Sequence, residues 1–153
     1  MLFVSRITSR TAHALLSNTR NTTRKMADKA TQGLPLEVVL EKLTGYASPS
    51  LAESWDNVGL LLEPSSPHVV QHVFLTNDLT EEVLEEAIDK RAGLIVSYHP
   101  PIFSSIKRIT QDRWKDRLVV KCLENRIAIY SPHTSYDVVK GSLLVLFICF
   151  FNL

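Results

Sequence analysis

Three short polar segments in this 153-residue sequence carry groups that do acid–base and metal chemistry. They are Asn77-Asp78, His99 ahead of Pro100-Pro101, and the run Pro132-His133-Thr134-Ser135-Tyr136-Asp137. Imidazole nitrogen and carboxylate oxygen together suit zinc, iron or manganese, with neighbouring hydrogen bonds orienting each ring. Asp78 followed three residues later by Glu81 forms a capping box, so it is assigned to a helix start rather than to the metal set. A lone His beside two prolines is more often a loop hydrogen-bonder than a ligand, and the parallel placement of His133 raises the case for His99 as a ligand. His133 and Asp137 are four residues apart, which puts them on one face of a helical turn. The same spacing suits a His–Asp hydrogen bond that merely fixes a turn, and both readings stand. Nucleotide loops of the GxGxxG or Walker type are absent, and no nucleophile elbow frames the Ser and Thr beside His133. Trp55 and Trp114 are expected at the core or its rim, and His68 and His72 in solvent.

These segments matter only if the chain brings them together. Leu36, Val39, Leu40 and Leu43 recur at helical spacing after Pro35 and stop near Gly45. A loop to Asn57 leads to a strand over Val58 to Leu62, a turn over Glu63 to His68, and a strand over Val69 to Thr76. A helix over Leu79 to Arg91 follows, closed by Gly93. Leu94 to Tyr98 is a short apolar strand ended by the two prolines. Asp112 to Arg126 is a helix, and Ile127 to Ser131 a strand. The expected fold is therefore α/β, with a mixed or mainly parallel sheet and flanking helices. Right-handed crossovers between the last three strands put their carboxyl ends on one edge, where ligands bind in open α/β sheets. All three polar segments begin at that edge.

Lysine and arginine number 17 against 16 acidic residues, so no whole-chain basic field argues for direct nucleic-acid binding. The two cysteines suggest neither a disulfide framework nor a CxxC site. Residues 1–30 are expected to be a leader: Arg6, Arg10, Arg20, Arg24 and Lys25 precede the first acid, Asp28, in a Ser/Thr-rich stretch. That is the pattern of a mitochondrial transit peptide, a disordered basic tail being the alternative, and His13 lies within it. A start at Met26 would give a cytoplasmic or nuclear form. Residues 141–153 form an apolar tail shorter than the ~20 residues of a membrane span, so none is expected. Exposed, the uncharged run from Leu143 to Phe151 favours association.

Four blocks in order resemble the NIF-three-like family, also known as GTP cyclohydrolase type-two homologues. They are Ser54 to Leu61, Phe74 to Thr80, Ser97 to Phe103 and Tyr130 to Asp137. The resemblance covers about residues 34–140, as the amino-terminal half of a truncated domain, and the 141–153 tail does not continue it. It implies an α/β fold, ring-like homo-oligomers and a two-metal centre. Carried over, the second position of the family's His-His pair falls on His99 and the carboxylate of its His-Thr block on Asp137, which makes these the metal ligands. His133 is implied to stand next to the metals, either supporting their ligands or facing substrate as the catalytic group, rather than as a ligand itself. Tyr98 stands where the family's pair has its first histidine, and a phenol with a pKa near ~10 is a poor ligand at neutral pH. The remaining ligands are implied to lie in the family's carboxyl-terminal half. A metal-dependent hydrolase with an incomplete site is therefore one expectation. The other is a non-enzymatic factor with a transcription-factor partner, acting as a transcriptional co-regulator.

Overall fold

The computed structural model describes residues 33–140. The leader expected over 1–30, with His13 and the alternative start at Met26, lies outside the described residues, as does the 141–153 tail. Residues Leu34–Pro35 form β1, followed directly by α1, Leu36–Tyr46. The apolar stripe of α1 does what its spacing predicts: Leu36 is buried, and Val39, Leu40 and Leu43 pack beside it. After a short 3-10 turn at Pro49–Leu51 come β2 (Gly59–Leu62), β3 (Val69–Val70) and β4 (Val73–Thr76). Then follow α2 (Glu81–Asp89), β5 (Leu94–Ser97), α3 (Trp114–Glu124), β6 (Ala128–Ser131) and α4 (Thr134–Asp137).

The main sheet has the order β2-β6-β5-β4. β4, β5 and β6 are mutually parallel and β2 runs antiparallel to β6, so the sheet is mixed, with helices on both faces. Every residue of β5 and β6 is buried, as expected of central strands covered on both sides. Alternation divides them: Leu94, Val96, Ala128 and Tyr130 meet α1, whereas Ile95 and Ile129 meet Leu84, Ala87, Leu118 and Cys122 of α2 and α3. Both helices end in the same way. Arg91 and Arg126 take φ of 54° and 53°, and Ala92 N–H and Ile127 N–H donate back to the Ala87 and Cys122 carbonyls. Arg91, not Gly93, thus closes α2.

The continuous strand expected over Val69 to Thr76 is in fact two. β3 pairs antiparallel with β1 in a separate ribbon, and only β4 joins the main sheet. The break at Gln71-His72 lets Val70 enter the α1 core while the His72 carbonyl accepts from Gly93 N–H. Gly93 passes within 3.2 Å of Val70 Cα at the position a Cβ would occupy, a close approach that asks for glycine. His68, expected in solvent, is buried and its Nε2 donates to the Gly93 carbonyl at 2.8 Å. His72 is exposed as expected.

The start of α2 also differs. Thr80, not Asp78, is the N-cap, its hydroxyl accepting from Val83 N–H at 3.3 Å. Placing the cap two residues later buries Leu79 with Leu84, a hydrophobic staple that Asp78 as cap would forfeit. Glu81 is taken by Arg117 of α3 through two bonds of 2.7 and 2.9 Å. Thr80→Ala is therefore expected to cost about 1 kcal/mol in denaturant unfolding. Asp78→Ala should cost less, and the reverse ranking would restore Asp78 as the cap.

Candidate metal and acid–base site

Parallel pairing of β4, β5 and β6 sets their carboxyl ends side by side. The pairing runs on past the strands, because Tyr98 N–H donates to the Thr76 carbonyl and His99 N–H to that of Asn77. Tyr98 and His99 leave the end of β5, and His133 follows β6. Their rings form a triangle, with centroids 5.0 Å apart for Tyr98–His99 and 5.7 Å for both Tyr98–His133 and His99–His133. Each ring is bonded to its own carboxylate. Tyr98 Oη donates to Asp137 Oδ1 at 2.7 Å, His99 Nδ1 lies 2.9 Å from Asp78 Oδ1, and His133 Nδ1 lies 2.7 Å from Asp56 Oδ1.

Asp56 is the most constrained of the three acids. Its side chain has no exposure to solvent. It also accepts from the backbone N–H groups of Asn57 and Thr134 and from the Thr134 hydroxyl. Burial alone would raise its pKa, but the hydrogen bonds from Thr134, His133 and Asn57 outweigh it and hold the carboxyl below its ordinary value. An ionised carboxylate only accepts, so His133 Nδ1 carries a proton and Nε2 is the nitrogen left for proton transfer. His133 is held with φ 35° and ψ −128°, a conformation that favours glycine. Such a residue costs roughly 1–3 kcal/mol, and its bonds to Asp56 keep it there.

Tyr98 has the opposite character. Burial, reinforced by the neighbouring Asp137 carboxylate, pushes its hydroxyl up to about 12. It is a neutral donor at physiological pH, and it engages an oxygen of the very carboxylate expected to bind metal. His99 is half exposed, with Nε2 as its second nitrogen.

The fold thus gathers the three residues expected from sequence. The His99 and His133 rings meet edge to face at 5.7 Å, and Asp137 joins through Tyr98. The acid found on His133 is Asp56, 77 positions upstream. Sequence spacing could not reveal that pairing, and the only signal was the block Ser54 to Leu61. Asp78, assigned to the helix cap, also belongs here. Trp55, expected at the core or its rim, is 61% exposed and lies 6.3 Å from the His133 ring. Trp114, at the first position of α3, is 44% exposed. Among the described residues no three His, Cys, Asp or Glu side chains are placed to hold a metal ion together. The donor set therefore fits a cation in part: His99 and Asp137 are of the right type, and Tyr98 is not. A cavity of about 460 Å³ near Gly93 and Ile127 lies at the opposite ends of β5 and β6 and does not take part in this cluster.

Residues 35–151 match the family model described as Duf34/NIF3 (NGG1p interacting factor 3). The chain is similar to the human "NIF3-like protein 1", with 64% identity over 104 residues, 68% of this chain and 28% of that protein. It is 36% identical over 103 residues to the Bacillus subtilis "GTP cyclohydrolase 1 type 2 homolog", covering 67% of this chain and 27% of that protein. Among solved structures, the Bacillus cereus protein related to NIF3 superposes with a TM-score of 0.70 at 33% identity, covering 80% of this chain and 34% of that one. The chain spans less than a third of the length of these curated relatives. With its fold, its four sequence blocks and these matches in agreement, the chain belongs to the Duf34/NIF3 family.

Proposed function

We propose that this chain supplies one share of a divalent-metal centre of hydrolase type, with His99 and Asp137 as its ligands and His133 as the proton-transfer group. The observation that carries this reading is the triangle of Tyr98, His99 and His133, each ring backed by a carboxylate at the carboxyl edge of the parallel strands. Zinc, iron or manganese would supply a water activated near neutral pH. In this chain, Asp56 orients His133 and stabilises the imidazolium formed when Nε2 takes a proton. Asp78 orients His99 in the same manner. With two donors and a neutral phenol beside them, these residues alone would bind metal weakly, and the family resemblance implies further ligands to complete the site.

The test is metal content after dialysis against zinc, iron(II) or manganese(II). His99→Ala and Asp137→Ala are each expected to lower it, and His133→Ala to leave it unchanged. Unchanged stoichiometry in both ligand variants would remove the metal reading. The Tyr98–Asp137 bond favours a second reading, a metal-poor interaction role as a transcriptional co-regulator, since it occupies a carboxylate oxygen that a metal would need. The name interacting factor borne by the family model agrees with that role.

A further inference from the structure

We infer that Trp55 and Phe103 form an aromatic platform that receives a planar, ring-bearing ligand beside His133. This inference rests on the acid–base site above and names the chemical class it would serve. Trp55 is 61% and Phe103 45% exposed, an unfavourable position for large apolar rings unless something covers them. Their centroids lie 6.4 Å apart with the rings tilted by 53°, and each meets His133 edge to face, at 6.3 and 6.4 Å.

Neither ring is a stray loop side chain. The residue after Trp55 is Asp56, whose buried carboxylate grips His133 and Thr134. The residue before Phe103 is Ile102, whose carbonyl accepts from Asn57 Nδ2 at 2.6 Å. That bond ties the Trp55 loop to the Phe103 loop, so the backbone on either side of both rings is held by the bonds that build the acid–base site. Farther along, Arg113 donates to the Arg108 carbonyl and Asp116 accepts from Thr110 N–H, which anchors the far end of the Phe103 loop to α3.

Loops held in this way need little ordering when a ligand binds, which favours binding. Two aromatic surfaces beside an imidazole select a flat π-system over a puckered or aliphatic one, because ring stacking adds to simple area burial. A heteroaromatic ring the size of a nucleobase matches that chemistry. Its reacting atom would lie within reach of His133 Nε2.

The experiment uses the full chain carrying Trp114→Phe, so that Trp55 is its only indole. Adenosine and nicotinamide are titrated as planar probes, with ribose and cyclohexanecarboxamide as non-planar controls. Saturable quenching of Trp55 by the planar probes alone is expected. Phe103→Leu should weaken it about tenfold, the scale of one lost ring stack. Saturation-transfer NMR on the ligands, without added metal, should show binding kept in Trp55→Phe and lost in Trp55→Leu, with circular dichroism confirming that each variant is folded. Equal, non-saturating quenching by planar and saturated compounds would overturn the platform, as would unchanged affinity in folded Phe103→Leu. Metal content read on the same samples separates the two ideas. Loss of metal in His99→Ala with no ring binding sinks only the platform, and ring binding with metal content unchanged in both His99→Ala and Asp137→Ala sinks only the metal reading.

Discussion

Asp56→Ala is expected to destabilise the chain by about 3 kcal/mol and to release the His133 imidazole from its single orientation. The carboxylate is wholly shielded from solvent and accepts from His133, from Thr134 twice and from Asn57. Alanine leaves those partly buried donors without their acceptor. It also removes what holds His133 at φ 35°. Since a domain of this size is stable by only about 5–15 kcal/mol, the loss would be plain in a urea titration. Asp56→Asn should fall between, because the amide oxygen still accepts from His133 but the amide nitrogen cannot accept from Thr134. The pH dependence has a definite sign. Because the folded pKa of Asp56 is lowered, its contribution is fully present above the unfolded carboxylate value of about 3.9 and is lost as pH falls through the lower folded value. Acid unfolding below about pH 4 should therefore be shallower in Asp56→Asn than in the parent. Equal acid profiles, or a loss under about 1 kcal/mol for alanine, would show that the network is not the support described here.

Tyr98→His is expected to raise affinity for zinc at least about tenfold, the scale on which groups around a metal site tune binding. Two changes act together. The phenol, neutral up to about 12, is replaced by an imidazole that offers a lone pair near neutral pH. Asp137 is also relieved of the Tyr98 hydroxyl bond at 2.7 Å. The new ring would stand where Tyr98 now lies, 5.0 Å from His99 and 5.7 Å from His133. Tyr98→Phe separates the effects, since it frees Asp137 without adding a donor, and it should give much less. Chelator competition with zinc distinguishes the three proteins. If Tyr98→His binds no better than Tyr98→Phe, the imidazole contributes nothing and the place of Tyr98 in the site is misread.

Much of the frame was legible because burial imposes periods on the chain. The stripe Leu36, Val39, Leu40, Leu43 located α1, and the apolar runs over Leu94 to Val96 and Ala128 to Tyr130 located two strands buried on both faces. Crossover handedness then placed His99 and His133 at one edge. Boundaries were less legible where two local solutions compete. Asp78 with Glu81 makes a sound capping box on paper, yet Thr80 wins because its cap buries Leu79, while Glu81 is better used on Arg117. The β-branched run from Val69 to Thr76 has strand propensity throughout, but propensity does not say which sheet a strand joins.

By itself, the sequence determined the α/β class, the order of the main helices and strands, and the place of His99, His133 and Asp137 at the carboxyl edge of the parallel strands. These follow from local periodicity and from the fixed hand of parallel crossovers, which act over tens of residues at most. Only the tertiary structure decided which acid serves which ring. Asp56 meets His133 across 77 positions, Tyr98 meets Asp137 across 39 and His99 meets Asp78 across 21. Such pairings depend on where a loop with no period crosses the sheet edge, and on which carboxylate loses its water there. The same closure leaves Trp55 and Phe103 exposed around His133 rather than buried, because the bonds of Asp56 and Asn57 hold their loops at the sheet edge.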